Sequence, residues 1–204
     1  MKIINDFEQG SEEWAEYRKG KISGTILGDI YSKRGGRKLG FYDIIAGRLG
    51  LDPDDENRMD RGLRLEDEAT EKFEEETGLK TEKVGICVSE IDDAIINSPD
   101  RLIKVGGKYK EALEIKCISP ARHLQAVIEQ KIPAEFESQL IQYFIVNDDL
   151  EKLHFVFFDP RVTAIPYYRI EVTRDEVKDK IEFFRQYQID TLKEINELIE
   201  KLAF

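Results

Sequence analysis

Three charged residues whose types could do chemistry together, Asp100, Glu114 and Lys116, lie in one short stretch, SPDRLIKVGGKYKEALEIK (residues 98–116). Two extended runs joined at a Gly-Gly pair predict a β-hairpin. Glu114 and Lys116 are two residues apart, so their side chains emerge from the same face of the strand. This face therefore carries a carboxylate beside an ammonium, although the surrounding residues have the pattern of a buried strand.

The length of the hairpin loop decides whether Asp100 joins this pair. A loop of only Gly106 and Gly107 would place Asp100 opposite Leu113 and turn it away from Glu114. A loop of three or five residues centred on Gly107 would place Asp100 opposite Glu114, with the two Cβ atoms about 5 Å apart. In that second arrangement two carboxylates converge beside one ammonium.

Two carboxylates that close repel each other, and one of them binds a proton unless a cation lies between them. Oxygen ligands of this kind suit Mg²⁺, with Mn²⁺ as a substitute, and leave room for several water ligands. A water beside such a cation loses its proton more easily, and Lys116 could orient it or stabilise developing charge. These are the parts that phosphodiester hydrolysis needs. An exposed hairpin with ordinary charges is the alternative, because a Glu-x-Lys triplet alone is common by chance.

Composition limits the remaining function classes. The 204 residues are enough for one globular domain, residues 1–204, with a real core. No run approaches the roughly 18–20 apolar residues of a membrane span. The N-terminal stretch lacks the pattern of a secretory signal, so we expect a cytosolic protein. Cys87 and Cys117 alone supply neither a disulfide framework nor a four-cysteine metal set.

The net charge of −11 argues against a nucleic-acid partner at face value, because phosphate contacts need Lys and Arg. The charge is unevenly distributed, however. Residues 1–40 hold eight Lys/Arg against six Asp/Glu, whereas residues 41–99 hold seven against seventeen. The first segment includes the basic stretch SKRGGRK at residues 32–38. An acidic outer surface with a basic lining is compatible with DNA, and a solvated loop without a partner is the competing interpretation.

Hydrophobic periodicity predicts an α/β fold of the α+β type, with both helices and strands around the hairpin. Helices are predicted at residues 11–20, from about 22, at 41–51, 61–80 and 133–147 and from 174 to the end; strands are predicted at 84–91, 95–105, 108–118, 152–158 and 167–172.

The side chains of Arg18 and Glu66 are also predicted to point toward the packed side of their helices. Trp14 and Arg18 are four residues apart and share a face. Glu66 lies on the apolar face of its helix, although a first-turn acid that complements the helix dipole has the same position. Ser23 or Thr25 caps the second helix, whose free N–H groups could bind an anion.

A family resemblance gives these residues a context. Pro99-Asp100, thirteen intervening residues and then Glu114-Ile115-Lys116 resemble the PD-(D/E)xK nuclease signature. The order and approximate spacing of further blocks resemble the lambda exonuclease family of phage recombination nucleases, over nearly all of the chain. These blocks are WAEYRKGKISGT, RGLRLEDEA, NSPD, LEIKC, ARH, SQLIQYF and FFDPRV.

The resemblance implies a restriction-endonuclease-like core, with a central mixed sheet of about five strands flanked by helices and a long C-terminal helix. It also implies a processive, Mg²⁺-dependent exonuclease that degrades one strand of double-stranded DNA from a 5′-phosphorylated end and leaves a 3′ overhang. A ring-shaped homotrimer threaded by DNA, a single-strand annealing partner and a phage or prophage origin in a bacterial host cytoplasm are further implications.

The resemblance also assigns catalytic roles to individual residues. Asp100, Glu114 and the Ile115 carbonyl would hold the metal, and Lys116 would assist the nucleophilic water. Glu66 would complete the acidic cluster. Gln139 would sit at the edge of the metal site, where a capping or interhelix amide is an equal alternative.

DNA contacts follow from the same resemblance. Arg34 and Arg37 would contact the DNA backbone or minor groove, and Met59 would be an apolar wedge between the strands. Exposed loop positions are the alternative for all three. The pocket for the terminal 5′ phosphate would consist of Arg18, Thr25, Ser98 and Arg122.

Two positions depart from the family pattern. Thr25 stands where the family has serine, which keeps the hydroxyl and adds a methyl group. Arg101 stands where a glycine usually follows the aspartate, which leaves the local turn geometry open.

Two other functions remain open. A structure-specific or restriction-type endonuclease could use the same core, and the phosphate pocket distinguishes the two. A noncatalytic DNA-end binding module is disfavoured because binding alone needs no clustered acids. A nuclease with an iron–sulfur cluster is disfavoured because two cysteines cannot supply four ligands.

Overall fold

The structure, a computed structural model, describes most of the chain. The described residues are 1–32, 38, 40–41, 44, 48, 60–118, 120–160 and 162–202, and of 60–64 and 120–122 only the backbone is described. Arg34, Arg37, Met59 and most of the helix predicted at 41–51 lie outside them. None of the described helices combines the length and the apolar character that a bilayer crossing needs.

Eight strands and six helices are continuous in the described part of the chain. In order they are β1 (Lys2–Ile4), α1 (Glu12–Arg18), α2 (Gly24–Ile30), α3 (Asp60–Thr77), β2 (Thr81–Glu82), β3 (Ile86–Val88), β4 (Ile96–Asn97), β5 (Arg101–Val105), β6 (Lys108–Lys116), α4 (Pro120–Glu129), a 3₁₀ turn (Ala134–Phe136), α5 (Glu137–Val146), β7 (Lys152–Phe158), β8 (Tyr167–Thr173) and α6 (Arg174–Leu202).

A five-stranded sheet in the order β2-β5-β6-β7-β8 carries the hairpin. Strands β6 and β7 are parallel, and the other neighbours are antiparallel. A parallel pair needs a long crossover, which α4, the 3₁₀ turn and α5 supply. The predicted mixed sheet of about five strands and the long C-terminal helix are confirmed. A second sheet, β1-β3-β4, was not predicted.

Local signals account for the first helices. Ser11 caps α1 by accepting a hydrogen bond from the Trp14 N–H, and Ser23 caps α2 by accepting one from the Ile26 N–H. Both caps satisfy N–H groups that have no partner within the helix. The predicted starts of α1 and α2 are therefore confirmed, and Ser23 rather than Thr25 is the cap of α2.

The five-stranded sheet is covered on both faces. Ala112 of β6 faces the larger core, which includes Phe155 of β7 and side chains of α2, α5 and α6. Leu113 and Ile115 face a smaller core against Phe73 of α3. Burial of each large apolar side chain stabilises the fold by roughly 1.5–3 kcal/mol, which holds the strands firmly in place. By alternation, Glu114 lies on the α5 side of the sheet.

The β5–β6 hairpin places Asp100 opposite Glu114, as predicted, but a β-bulge and not the length of the loop produces this pairing. Its loop is the two-residue Gly106-Gly107, with φ of 60° and 83°, as a type I′ turn requires. A β-bulge further along the hairpin then shifts the register by one residue, so Arg101 pairs with Leu113. Asp100, one residue earlier, continues this register opposite Glu114. The predicted odd-length loop is therefore wrong, and the bulge re-aims the aspartate instead.

Candidate active site

Asp100, Glu114 and Lys116 come together at the end of the β5–β6 hairpin. The Asp100 Oδ2 accepts a hydrogen bond of 2.6 Å from the Ile115 backbone N–H. The Lys116 ammonium donates to the Glu114 carboxylate and forms an ion pair with it. The structure thus brings the three charges predicted from the hairpin into one cluster.

Helix α5 fixes the orientation of the Glu114 carboxylate and also contacts the backbone of Asp100. Glu114 is 1% exposed, and Lys116 and Gln139 both donate to its Oε1 while the Tyr143 hydroxyl donates to its Oε2. The Tyr143 oxygen also accepts from the Asp100 backbone N–H at 3.3 Å. Gln139 and Tyr143 are four residues apart and so share one helix face. Gln139 is therefore at the acidic cluster, as the resemblance implied.

The charges of this cluster shift one another's pKa. Burial, and then the Glu114 carboxylate, raise the pKa of Asp100 well above its ordinary value, and Lys116 offsets this only in part. Burial works to lower the pKa of Lys116, but the carboxylates of Glu114 and Asp100 outweigh it and the net shift is upward. Lys116 is therefore an ammonium at neutral pH, and negative charge in the cluster is only partly compensated.

The donor set fits a divalent cation with few protein ligands. In the portion of the chain that is described, no group of three or more His, Cys, Asp and Glu side chains is arranged to hold a metal. Asp100 and Glu114 bring two carboxylates to this cluster, and the Ile115 carbonyl, which the resemblance implies as a third ligand, follows Glu114 directly in the chain. Mg²⁺ typically binds one or two carboxylates and keeps several waters. A cation here would also offset the burial and the repulsion by Glu114 that together raise the pKa of Asp100.

Glu66 lies at the edge of the same cluster. It is 8% exposed on α3, which confirms its inward orientation, and its charge contributes to raising the pKa of Asp100. Its carboxylate forms an ion pair with Arg101, which is itself 6% exposed. Glu66 is therefore close to the cluster but held by a guanidinium.

A second, cationic pocket adjoins the carboxylates. Arg18 donates to the Ser98 hydroxyl at 2.6 Å and to the Ser23 hydroxyl at 3.2 Å, and it lies 4.2 Å from the centre of the Trp14 ring. Burial lowers the pKa of Arg18 to about 10, and the charge of Glu114 opposes this shift. Arg18 is therefore protonated at neutral pH. Two hydroxyls and one guanidinium together can bind a phosphate.

Helix α2 connects this pocket to α5 through a close contact. A Cβ added to Gly24, the residue after Ser23, would lie 2.8 Å from the Gln139 Cα. Only glycine permits this approach without a shift of the helices. The contact couples the position of the Ser23 hydroxyl to that of the Gln139 amide.

The structure does not gather every predicted phosphate ligand. Thr25 is exposed in the first turn of α2, and the hydroxyl on that helix that contacts Arg18 is that of Ser23. Arg122 lies on α4, and its side chain is outside the described part. The sequence prediction named Ser23 only as a cap and missed Tyr143 altogether. The four-residue spacing from Gln139 could have indicated Tyr143.

Comparisons with known proteins identify the family and similar folds. The family model of the YqaJ-like viral recombinase domain matches residues 13–149. LHK-Exo, an alkaline exonuclease from Laribacter hongkongensis, has a similar structure, with a TM-score of 0.79 and 25% identity over 95% of this chain and 98% of that chain. The complex of LHK-Exo with dAMP matches with a TM-score of 0.78 at the same identity and coverage.

A phage-related exonuclease from Haemophilus somnus 129PT has the same fold, with a TM-score of 0.61 and 19% identity over 90% of this chain and 96% of that chain. At this identity the likeness concerns the fold alone. No match was found among curated proteins. The fold described above is thus the fold of known exonucleases.

Replacement of Asp100 by asparagine should stabilise the metal-free protein at neutral pH. Asn removes a buried like charge and keeps an oxygen that can accept from the Ile115 N–H. We expect a gain on the order of 1 kcal/mol, or roughly 2–4 °C in Tm, in thermal unfolding with EDTA. Because the folded-state pKa of Asp100 is raised, the gain should be present above the unfolded-state pKa near 4 and absent below it.

Mg²⁺ should then raise the Tm of the parent protein but not that of Asp100→Asn, because only the parent keeps the site intact. Asp179→Asn, an exposed change on α6, is the control and should alter neither result. A lower Tm of Asp100→Asn in EDTA would contradict the account of the cluster.

Proposed function

The chain belongs to the family of YqaJ-like viral recombinase domains, and from this membership we propose that it is a deoxyribonuclease of the exonuclease type. Its reaction is Mg²⁺-dependent degradation of one strand of double-stranded DNA, in the 5′-to-3′ direction from a 5′-phosphorylated end. The product carries a 3′ single-stranded overhang that serves phage recombination. The similarity to LHK-Exo, an alkaline exonuclease with a dAMP complex, supports the proposal, since an exonuclease releases mononucleotides.

One observation carries the proposal: the Arg18 pocket adjoins the pair of carboxylates. Ser98, which accepts from Arg18, is two residues before Asp100 in the chain. The charge of Glu114 acts on Arg18, so the two sites are electrostatically linked. A terminal phosphate bound at Arg18 would therefore place the adjacent phosphodiester near the carboxylates. This arrangement favours cutting from an end over cutting within a strand.

The residues of the cluster have separate tasks in the proposed reaction. A bound Mg²⁺ would polarise a water molecule and neutralise charge on the scissile phosphate. Lys116, which stays protonated, donates hydrogen bonds that orient the water or stabilise developing negative charge, and it does not act as a base. Gln139 and Tyr143 hold Glu114 in one orientation, which reduces the cost of organising the site.

Further parts of the proposal derive from the resemblance. They include binding of double-stranded DNA ends by a ring-shaped homotrimer, a single-strand annealing partner and work in the host cytoplasm. Thr25 and Arg122 in the phosphate pocket, Arg34 and Arg37 on the DNA backbone, and Met59 as a wedge stay predictions.

Digestion of defined DNA substrates tests the proposed reaction. With Mg²⁺, linear duplex with 5′ phosphates should be degraded faster than linear duplex with 5′ hydroxyls, because the Arg18 pocket binds the phosphate. Closed circular DNA should stay intact, and EDTA should stop the reaction. Products are followed by gel electrophoresis of strands with labelled ends. Cutting of closed circles would instead support an endonuclease.

Arg18→Ala should impair digestion of phosphorylated ends selectively. Loss of charge-assisted hydrogen bonds should lower kcat/KM on 5′-phosphate ends by about 10- to 100-fold and leave the slower reaction on 5′-hydroxyl ends nearly unchanged. Arg18→Lys keeps the charge but not the paired donors, so its kcat/KM on 5′-phosphate ends should lie between those of the parent and of Arg18→Ala. An equal loss on both ends would show that Arg18 does not read the phosphate.

Lys116→Met should abolish turnover and preserve DNA binding. The loss in kcat should be at least about 100-fold, since the ammonium that stabilises developing charge is gone. Single-turnover kinetics and fluorescence anisotropy with labelled duplex measure the two quantities. Lys104→Met, on the exposed end of β5, is the matched control and should be fully active. Undiminished turnover of Lys116→Met would remove Lys116 from the mechanism.

A further inference from the structure

Arg101 has surroundings that the proposed reaction does not explain. By strand alternation it lies with Glu66 on the α3 side of the sheet, whereas Glu114 lies on the α5 side, and the charge of Glu66 still acts on Asp100, just before β5. Its Nη1 forms an ion pair with Glu66 and also donates to the Asp100 backbone oxygen at 2.7 Å. Its Nη2 pairs with Asp67 at 2.8 Å. The Arg101 guanidinium therefore connects α3 to the backbone of Asp100.

The pair of Arg101 and Glu66 is well shielded from water. Their side chains are 7% and 10% exposed, whereas that of Asp67 is 78% exposed. A buried ion pair is costly to break from one side, because the remaining charge is left without a partner. For Glu66 to ligate a metal, it would have to give up most of this compensation. Arg101 and a cation therefore compete for the same carboxylate.

The charges around the cluster also limit the number of divalent cations that it can bind. Asp100, Glu114, Glu66 and Asp67 carry four carboxylates, and Lys116, Arg101 and Arg18 supply three cationic groups beside them, which leaves a net charge of −1. One divalent cation would more than neutralise the negative charge that remains. A second divalent cation would meet an excess of positive charge, part of it fixed on Arg101. The cluster thus has room, electrostatically, for one divalent ion.

We propose that Arg101 is a positioning residue that holds Glu66 away from the catalytic cation, so that this chain binds a single divalent ion through Asp100 and Glu114. The inference rests on the cation site of the proposed function and narrows its ligand set. Glu66 then acts through Arg101, by fixing the start of β5, and not as a metal ligand. Removal of the guanidinium would release Glu66 to bind the cation.

A double-mutant cycle on Mn²⁺ affinity tests this competition. Isothermal titration with Mn²⁺ compares the parent, Glu66→Gln, Arg101→Gln and the double variant. In the parent background, Glu66→Gln should raise the Kd less than about threefold, and in the Arg101→Gln background at least about tenfold, the scale of losing one direct interaction with a charged group. A purely electrostatic effect would be the same in both backgrounds. Equal costs would overturn the inference.

The stoichiometry gives an independent readout. Electron paramagnetic resonance of Mn²⁺ should show one bound ion in the parent protein. A second ion that Glu66→Gln removes from the parent protein would also overturn the inference. Arg101→Lys keeps a charge beside Glu66 and should preserve the small effect of Glu66→Gln. Glu82 and Lys104, an exposed pair on the same sheet, provide the control cycle, which should show no coupling in Mn²⁺ affinity.

Two outcomes distinguish a failure of this inference from a failure of the proposed function. If Asp100→Asn binds Mn²⁺ as tightly as the parent, the cation site is wrong and the inference fails with it. If binding depends on Asp100 but Glu66→Gln costs the same in both backgrounds, only the inference fails. Should Arg101→Gln fail to fold, as circular dichroism would show, Glu66→Gln in the parent protein is the test: a loss of Mn²⁺ affinity of about tenfold or more overturns the inference, and a loss below about threefold supports it.

Discussion

Negative charge that is only partly compensated, between two β-strands, is the constraint on which the rest of this site depends. Asp100 and Glu114 face each other because a β-bulge shifts the hairpin by one residue. Burial and mutual repulsion make this arrangement unfavourable without a cation, as the raised pKa of Asp100 indicates. Lys116 and one face of α5 nevertheless hold the Glu114 carboxylate in place, and the Ile115 N–H holds that of Asp100. A fold that keeps such repulsion in a rigid frame is prepared to bind a positive ion.

The cationic pocket around Arg18 supplies positive charge beside these carboxylates. Arg18 lies against Trp14 and donates to two serines, one of which is two residues from Asp100. Close contact between α2 and α5 at Gly24 keeps both sites in one frame. The proposed reaction at a phosphorylated end would use an anion site and a cation site side by side. The chain can therefore be acidic overall, with a net charge of −11, and still offer a phosphate a local cationic contact.

Local patterns predicted much of this structure. Period-two runs indicated β5 and β6, and caps indicated α1 and α2, because both signals depend on neighbours in sequence. The bulge could not be predicted, since it depends on how the hairpin packs in the sheet. Strands β1 and β2 have three and two residues and leave no period to detect. The Arg101–Glu66 pair joins residues 35 positions apart, so only the folded chain reveals it.

The central claim is that Asp100 and Glu114 together bind one divalent cation. Diffraction from crystals grown with Mn²⁺, with data collected at the manganese absorption edge, tests it most directly. The account predicts a single anomalous peak within bonding distance of one oxygen from each carboxylate, with Glu66 still paired to Arg101. Carboxylates without a peak at saturating Mn²⁺, or a peak elsewhere, would contradict the account.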